Sequence, residues 1–92
     1  MAVLLITYDL SDDSNRDNVL QAIKNFSTYT QLSESSYVVK TGNSPKTVND
    51  RLNRYFSPKG DQLFVVTLQH GSWWGRGKGP TAEAWMKLHL GG

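Results

Sequence analysis

The sequence predicts a small α+β sandwich, a sheet carrying two helices on one face. Three observations lead there. Short apolar runs rich in β-branched and aromatic residues alternate with amphipathic helical stretches, in the order strand, helix, strand, strand, helix, strand. The chain has 92 residues, the size of one small domain. It contains no cysteine, so neither a disulfide nor a thiolate metal site can brace it, and the core must come from packing.

The first element is the run Val3 to Leu10, a buried-type strand that delivers the carboxylate of Asp9 at its end. A polar turn, Ser-Asp-Asp-Ser-Asn, follows. Ser14 is the expected N-cap, with Asp17 three residues later as its capping-box partner. They open a helix from about Asn15 to Phe26, with Val19, Leu20, Ile23 and Phe26 as its apolar face. Thr28 to Leu32 and Ser35 to Thr41 read as two strands joined at Ser33-Glu34. Ser44 caps a second helix, Pro45 sits in its first turn, and Val48, Leu52, Tyr55 and Phe56 form its stripe. Pro58-Lys59-Gly60-Asp61 breaks that helix, and Gln62 to Leu68 is a further buried-type strand.

This order is the ferredoxin-like βαββαβ arrangement, with right-handed crossovers. The first and last strands, continuously apolar, are expected at the centre of the sheet. Two helices leave one sheet face bare, and a second copy of the chain is its expected cover, giving a homodimer. Residues 1–69 make up this ferredoxin-like domain, and residues 70–92 are a Gly/Trp-rich C-terminal extension. The extension joins Trp73 and Trp74 to Arg76, Lys78 and four glycines, then a short helix capped by Thr81 and carrying Ala82, Trp85, Met86 and Leu88 or His89. It is expected to pack on the sheet or at the dimer contact. Trp faces also stack on bases, and Arg or Lys meets phosphate.

Charge is unevenly placed. Residues 1–34 hold two basic residues against five carboxylates, and residues 35–92 hold eight against three. On the second helix Lys46, Arg51 and Arg54, with Lys40 and Lys59 nearby, form a basic region against Asp50 alone. This surface suits phosphate contacts, and it equally suits a solvated helix face. No apolar run reaches the roughly 18 residues of a membrane span. No basic region precedes the first apolar run, so a secretory leader is not expected and a cytoplasmic location is. His70 and His89 lie outside any zinc-ligand spacing. Neither a hydrolase triad motif nor a Gly-Lys-Ser/Thr phosphate loop occurs.

Asp9 is the candidate catalytic and metal-ligating residue. A carboxylate on a rigid strand end can hold a hard cation such as magnesium, with Asp12 or Asp13 as outer partners. It can also simply start the turn or cap a backbone group. Thr7-Tyr8-Asp9-Leu10, followed by a polar turn and Arg16 at a helix start, resembles the small CRISPR-associated endonuclease that partners the adaptation integrase. Gln31-Leu32-Ser33 and Ser35-Ser36-Tyr37-Val38 match that family's strand-pair motif, Gln-x-Ser-x-Phe/Tyr, imperfectly. The chain is similar as well to virulence-associated protein D toxins and SinR-like proteins. The resemblance covers residues 3–68 and implies a ferredoxin-like homodimer. Its two Asp9 carboxylates would face across a cleft, hold one magnesium or manganese ion, and cut RNA or DNA, while Arg16 contacts phosphate. The extension departs from the family's usual short last strand. Many family members are nucleic-acid-binding scaffolds without cleavage. The second reading is therefore an inert dimer that docks on nucleic acid, or on a CRISPR-system or other protein partner, with Arg16, Lys46, Arg51, Arg54, Arg76 and Lys78 as its phosphate contacts.

Overall fold

The computed structural model describes residues 1–91; the last residue of the 70–92 extension, Gly92, lies outside them. The elements are β1 (Ala2–Asp9), α1 (Arg16–Lys24), β2 (Thr28–Ser33), β3 (Ser36–Thr41), α2 (Pro45–Asn53), β4 (Gln62–Leu68) and α3 (Pro80–Leu90). The four strands form one antiparallel sheet in the order β2-β3-β1-β4. Four antiparallel strands and three helices make an α+β fold compatible with the ferredoxin-like arrangement.

The register sorts side chains onto two faces, because successive residues of a strand point opposite ways. Leu4, Ile6 and Tyr8 of β1 face α1 and α2 together with Tyr37 and Val39 of β3. Val19 and Ile23 of α1 and Val48 and Leu52 of α2 close this core, all of them buried. The opposite face carries Val3 and Val38, which meet Met86 and Leu90 of α3 in a second buried cluster. α3 thus covers part of the face expected to await a second subunit.

The last strand is not central. β3 and β1 hold the middle, and β4 is an edge bonded to β1 alone. Its apolar run misled because both of its faces bear apolar residues: Leu63 and Val65 pack on the first core, while Phe64 and Val66 point the other way and stay exposed at 65% and 43%. Residues 62–68 contain neither a charge nor a proline, so β4 presents an unprotected edge for pairing.

Helix ends differ from expectation at the starts of α1 and α3 and at the ends of α1 and α2, which stop at Lys24 and Asn53 and leave Phe26, Tyr55 and Phe56 beyond them. α1 starts at Arg16 behind Asn15, whose side chain makes no cap, and the Ser14–Asp17 capping box does not form. Ser14 is instead held by Asp12, which accepts from its N–H at 2.8 Å and from its hydroxyl. α3 starts at Pro80 behind Gly79, so Thr81 is inside the helix rather than its cap. The β2–β3 turn falls at Glu34-Ser35, one residue later than expected. α2 begins as read, with Ser44 Oγ accepting from Thr47 N–H at 3.2 Å and Pro45 leading the first turn.

Candidate nucleic-acid interface

Asp9 ends β1 on the face opposite α1 and α2, exposed, and opposite Gln62 of β4. Thr7 and Phe64 lie one step down that face, and Leu5 and Val66 two steps down. Asp9 therefore borders the half of the second face that α3 leaves open. The loop beyond it is fixed by a residue that sequence reasoning passed over. Asp61 Oδ1 accepts from the N–H and hydroxyl of Ser11, both at 2.8 Å, and Oδ2 accepts from Ser57 N–H at 2.7 Å. These donors hold the Asp61 carboxyl below the usual carboxylate range, the backbone N–H groups of Ser11 and Ser57 contributing most. The Ser14 hydroxyl, and after it the Ser14 N–H, likewise hold the Asp12 carboxyl below the usual range. An acid immediately before a strand and after Pro-Lys-Gly was the available signal for Asp61.

The other acids near Asp9 are engaged. Asp12 serves Ser14, and Asp13 lies 3.6 Å from Arg16. No group of three or more potential metal-ligating side chains gathers among the described residues. Magnesium keeps several of its waters and is commonly held by one or two carboxylates. Asp9 supplies one exposed carboxylate of that kind, while Asp12 and Asp13 are engaged elsewhere.

Tyr8, beside Asp9 in sequence, points the other way, into the first core. Its ring meets Phe56 edge to face at 6.1 Å. Its hydroxyl is buried with no hydrogen-bond partner among the described residues. Burial pushes the Tyr8 phenol up, the Tyr37 ring adds to this, and Arg16 opposes it.

The six candidate phosphate contacts do not form one surface. Arg16 is drawn to Asp13 and donates to Glu34 O at 3.4 Å. Lys46 is paired with Asp50 at 2.8 Å, which raises its pKa. Arg51 and Arg54 line a groove of about 470 Å³ between α1 and α2, with Phe26 and Tyr55, and the Arg54 guanidinium lies 5.3 Å from the Tyr55 ring centre. Arg76 and Lys78 lie on the opposite side of the sheet. Neither makes an ion pair among the described residues.

The segment bearing Arg76 and Lys78 is tied at its base and open at its tip. Gly71 N–H donates to Leu90 O at 2.7 Å, and Trp73 Nε1 donates to Gly91 O at 2.6 Å. Gly91 has φ of 72°, and a Cβ there would sit 2.5 Å from the His70 ring, so both backbone and space demand glycine. Trp85 Nε1 donates to Thr28 Oγ1 at 2.8 Å, fixing α3 to β2. Lys40 Nζ lies 3.5 Å from His89 Nδ1. Trp73 packs into the second core, whereas Trp74 is 95% exposed. Of the two residues expected on the apolar face of α3, Leu88 is exposed and His89 is half-buried with its ring 4.4 Å from that of Trp85, while Leu90 fills the core.

Behind Trp74 lies a small slot of about 150 Å³, lined chiefly by Leu32, Trp73, Trp74, Ala82 and Met86. Arg76 and Gly77 separate it from a broad groove of about 920 Å³ that runs along Thr30 to Ser35 and past Lys78 and Thr81. Compared with known proteins, the chain matches no family model, no curated sequence and no solved structure. Among the described residues no helix is long and apolar enough to cross a membrane.

Proposed function

We propose that the chain is a ferredoxin-like homodimer that binds nucleic acid, in the manner of the CRISPR-associated endonucleases and SinR-like proteins it resembles. Trp74 carries the reading. It is almost fully exposed in a glycine-rich loop that also bears Arg76 and Lys78, both without a carboxylate partner among the described residues. Base stacking on an aromatic ring contributes about 1–3 kcal/mol per base, and free cations supply the phosphate contacts. Phe64 and Val66, exposed on an uncharged edge strand, support self-association through β4 and the open half of the face. That location replaces the C-terminal extension, with Trp73 or Trp74, as the expected dimer contact: Trp73 packs within the chain, and Trp74 is assigned to nucleic acid. The lack of cysteine suits a cytoplasmic site of action.

Fluorescence anisotropy with labelled single-stranded DNA and RNA tests the proposal. Binding through two phosphate contacts should weaken about sevenfold between about 50 and about 200 mM salt. Trp74→Ala and the pair Arg76→Ala and Lys78→Ala should each weaken it. Absence of binding at low salt contradicts the reading.

A second reading is favoured by the position of Asp9 on the open half-face beside Phe64. A two-fold axis there would bring two Asp9 carboxylates together to hold one cation between them. The dimer would then be a metal-dependent endonuclease. Asp9→Ala should abolish magnesium- or manganese-dependent cleavage while the fold and dimer persist. Cleavage that survives this substitution sinks the reading.

A further inference from the structure

We infer that the slot behind Trp74 takes a single unpaired base, whose phosphate lies in the adjoining groove at Arg76 and Lys78, so that the protein selects single-stranded or extruded nucleotides over duplex. The inference rests on the nucleic-acid reading and adds to it a subsite and a preference. Three features carry it. The first is size. At about 150 Å³ the slot is small beside the roughly 300–1,000 Å³ of an ordinary ligand pocket, so its occupant is one ring system. The second is chemistry. Leu32, Met86 and two tryptophans offer apolar and sulfur contacts to a flat ring. Glu83, on the lining of the slot, supplies an acceptor for an exocyclic amine, with Lys87 Nζ 4.0 Å away to offset its charge.

The third feature is the junction. The slot and the wider groove share Leu32, Arg76, Gly77 and Ala82 as a common wall, and on the groove side Lys78, Gln31, Ser33 and Thr81 present polar groups. Glu34 also borders that groove, and Arg16 lies close to its carbonyl. An apolar compartment joined to a cationic one matches the two halves of a nucleotide, base and phosphate. Duplex DNA or RNA keeps its bases stacked and cannot fill the apolar half without paying the cost of unstacking. Gly77 and Ala82 both belong to that common wall: a Cβ on Gly77 would meet Ala82 Cβ at 3.1 Å, so any side chain there crowds the wall.

The experiment measures binding of the full chain to three labelled probes by anisotropy at low salt. They are a single-stranded adenylate octamer, the same octamer with abasic sugars, and a blunt duplex of equal length. The wild type should bind the adenylate strand about tenfold or more tightly than either control. Gly77→Val should drop the adenylate strand to the abasic level while Arg76 and Lys78 remain. Trp74→Ala, at an exposed position that leaves folding alone, should do the same. Equal affinity of the wild type for all three probes overturns the slot but leaves nucleic-acid binding standing. Unchanged adenylate binding in both variants overturns it too. Failure of every probe to bind overturns the broader reading and the slot with it.

Discussion

The two faces of the sheet are finished differently. On one, α1 and α2 close over Leu4, Ile6, Val39 and their buried neighbours, with Phe26, Tyr55 and Phe56 half-buried at the rim. On the other, α3 and Trp73 cover only the part above Val3 and Val38, and Phe64, Val66 and Asp9 are left at the border. The closed face shows what stability requires of 92 residues. The half-open face shows what stability does not require: an exposed phenylalanine and an exposed tryptophan beside Arg76 and Lys78, which, like Arg51 and Arg54 on the closed face, make no ion pair among the described residues. Features that folding leaves unexplained are where binding is to be sought.

Substitutions should separate the faces sharply. Ile6→Ala, which empties a fully buried site under both helices, should lower unfolding free energy by about 2–5 kcal/mol in urea titrations. Phe64→Ala should change the stability of the monomer by no more than about 0.5 kcal/mol and should shift sedimentation toward monomer. Equal destabilisation by the two would erase the contrast. Within the half-open face, the adjacent tryptophans should diverge as well. Trp73→Ala removes packing and the bond to Gly91 O and should cost about 2–3 kcal/mol, whereas Trp74→Ala should be neutral for folding.

Tyr8 sharpens the comparison from inside the closed face. Its hydroxyl is buried and without a partner among the described residues, and such a group is costly to leave unsatisfied. Tyr8→Phe should therefore be neutral or stabilising by up to about 1 kcal/mol. A marked loss of stability would mean that the hydroxyl is satisfied in solution.

The smallest effect concerns the loop beside Asp9. The folded carboxyl of Asp61 lies below its unfolded value, so its contribution is present above the unfolded pKa, near 3.8, and fades as pH falls through the lower folded value. Asp61→Asn should lower the melting temperature at pH 6 and narrow its gap from wild type on acidification below pH 4. A gap that does not change with pH would assign the effect to geometry rather than charge.

Much of this architecture could be read along the chain. Periodicity located all four strands and both central helices, and Ser44-Pro45 marked the start of α2 because a cap and a ring act locally. Sheet order was not local. The Leu63-Val66 run is equally consistent with a buried centre and with an edge apolar on both faces, and only its pairing with β1 alone decides. Ser14 was taken by Asp12 because a short Asx-type turn outcompetes the capping box. Of the site, Asp9 at the strand end and the loop cations were visible as residue types. The division of the basic residues between two sides of the sheet was not, because it depends on where α3 carries the chain. Asp61 was hidden for the same reason, its partners Ser11 and Ser57 coming from two separate loops.

On the proposed reading two surfaces are candidates for the nucleic acid: the groove at Arg51 and Arg54 on the closed face, and the Trp74 slot with Arg76 and Lys78 on the half-open one. Amide hydrogen exchange with and without a saturating single-stranded adenylate octamer decides between them. The account predicts slowed exchange in residues 30–35 and 73–83, with α1 and α2 unchanged. Protection confined to α2 around Arg51 and Arg54, with the tryptophan loop unaffected, would contradict it.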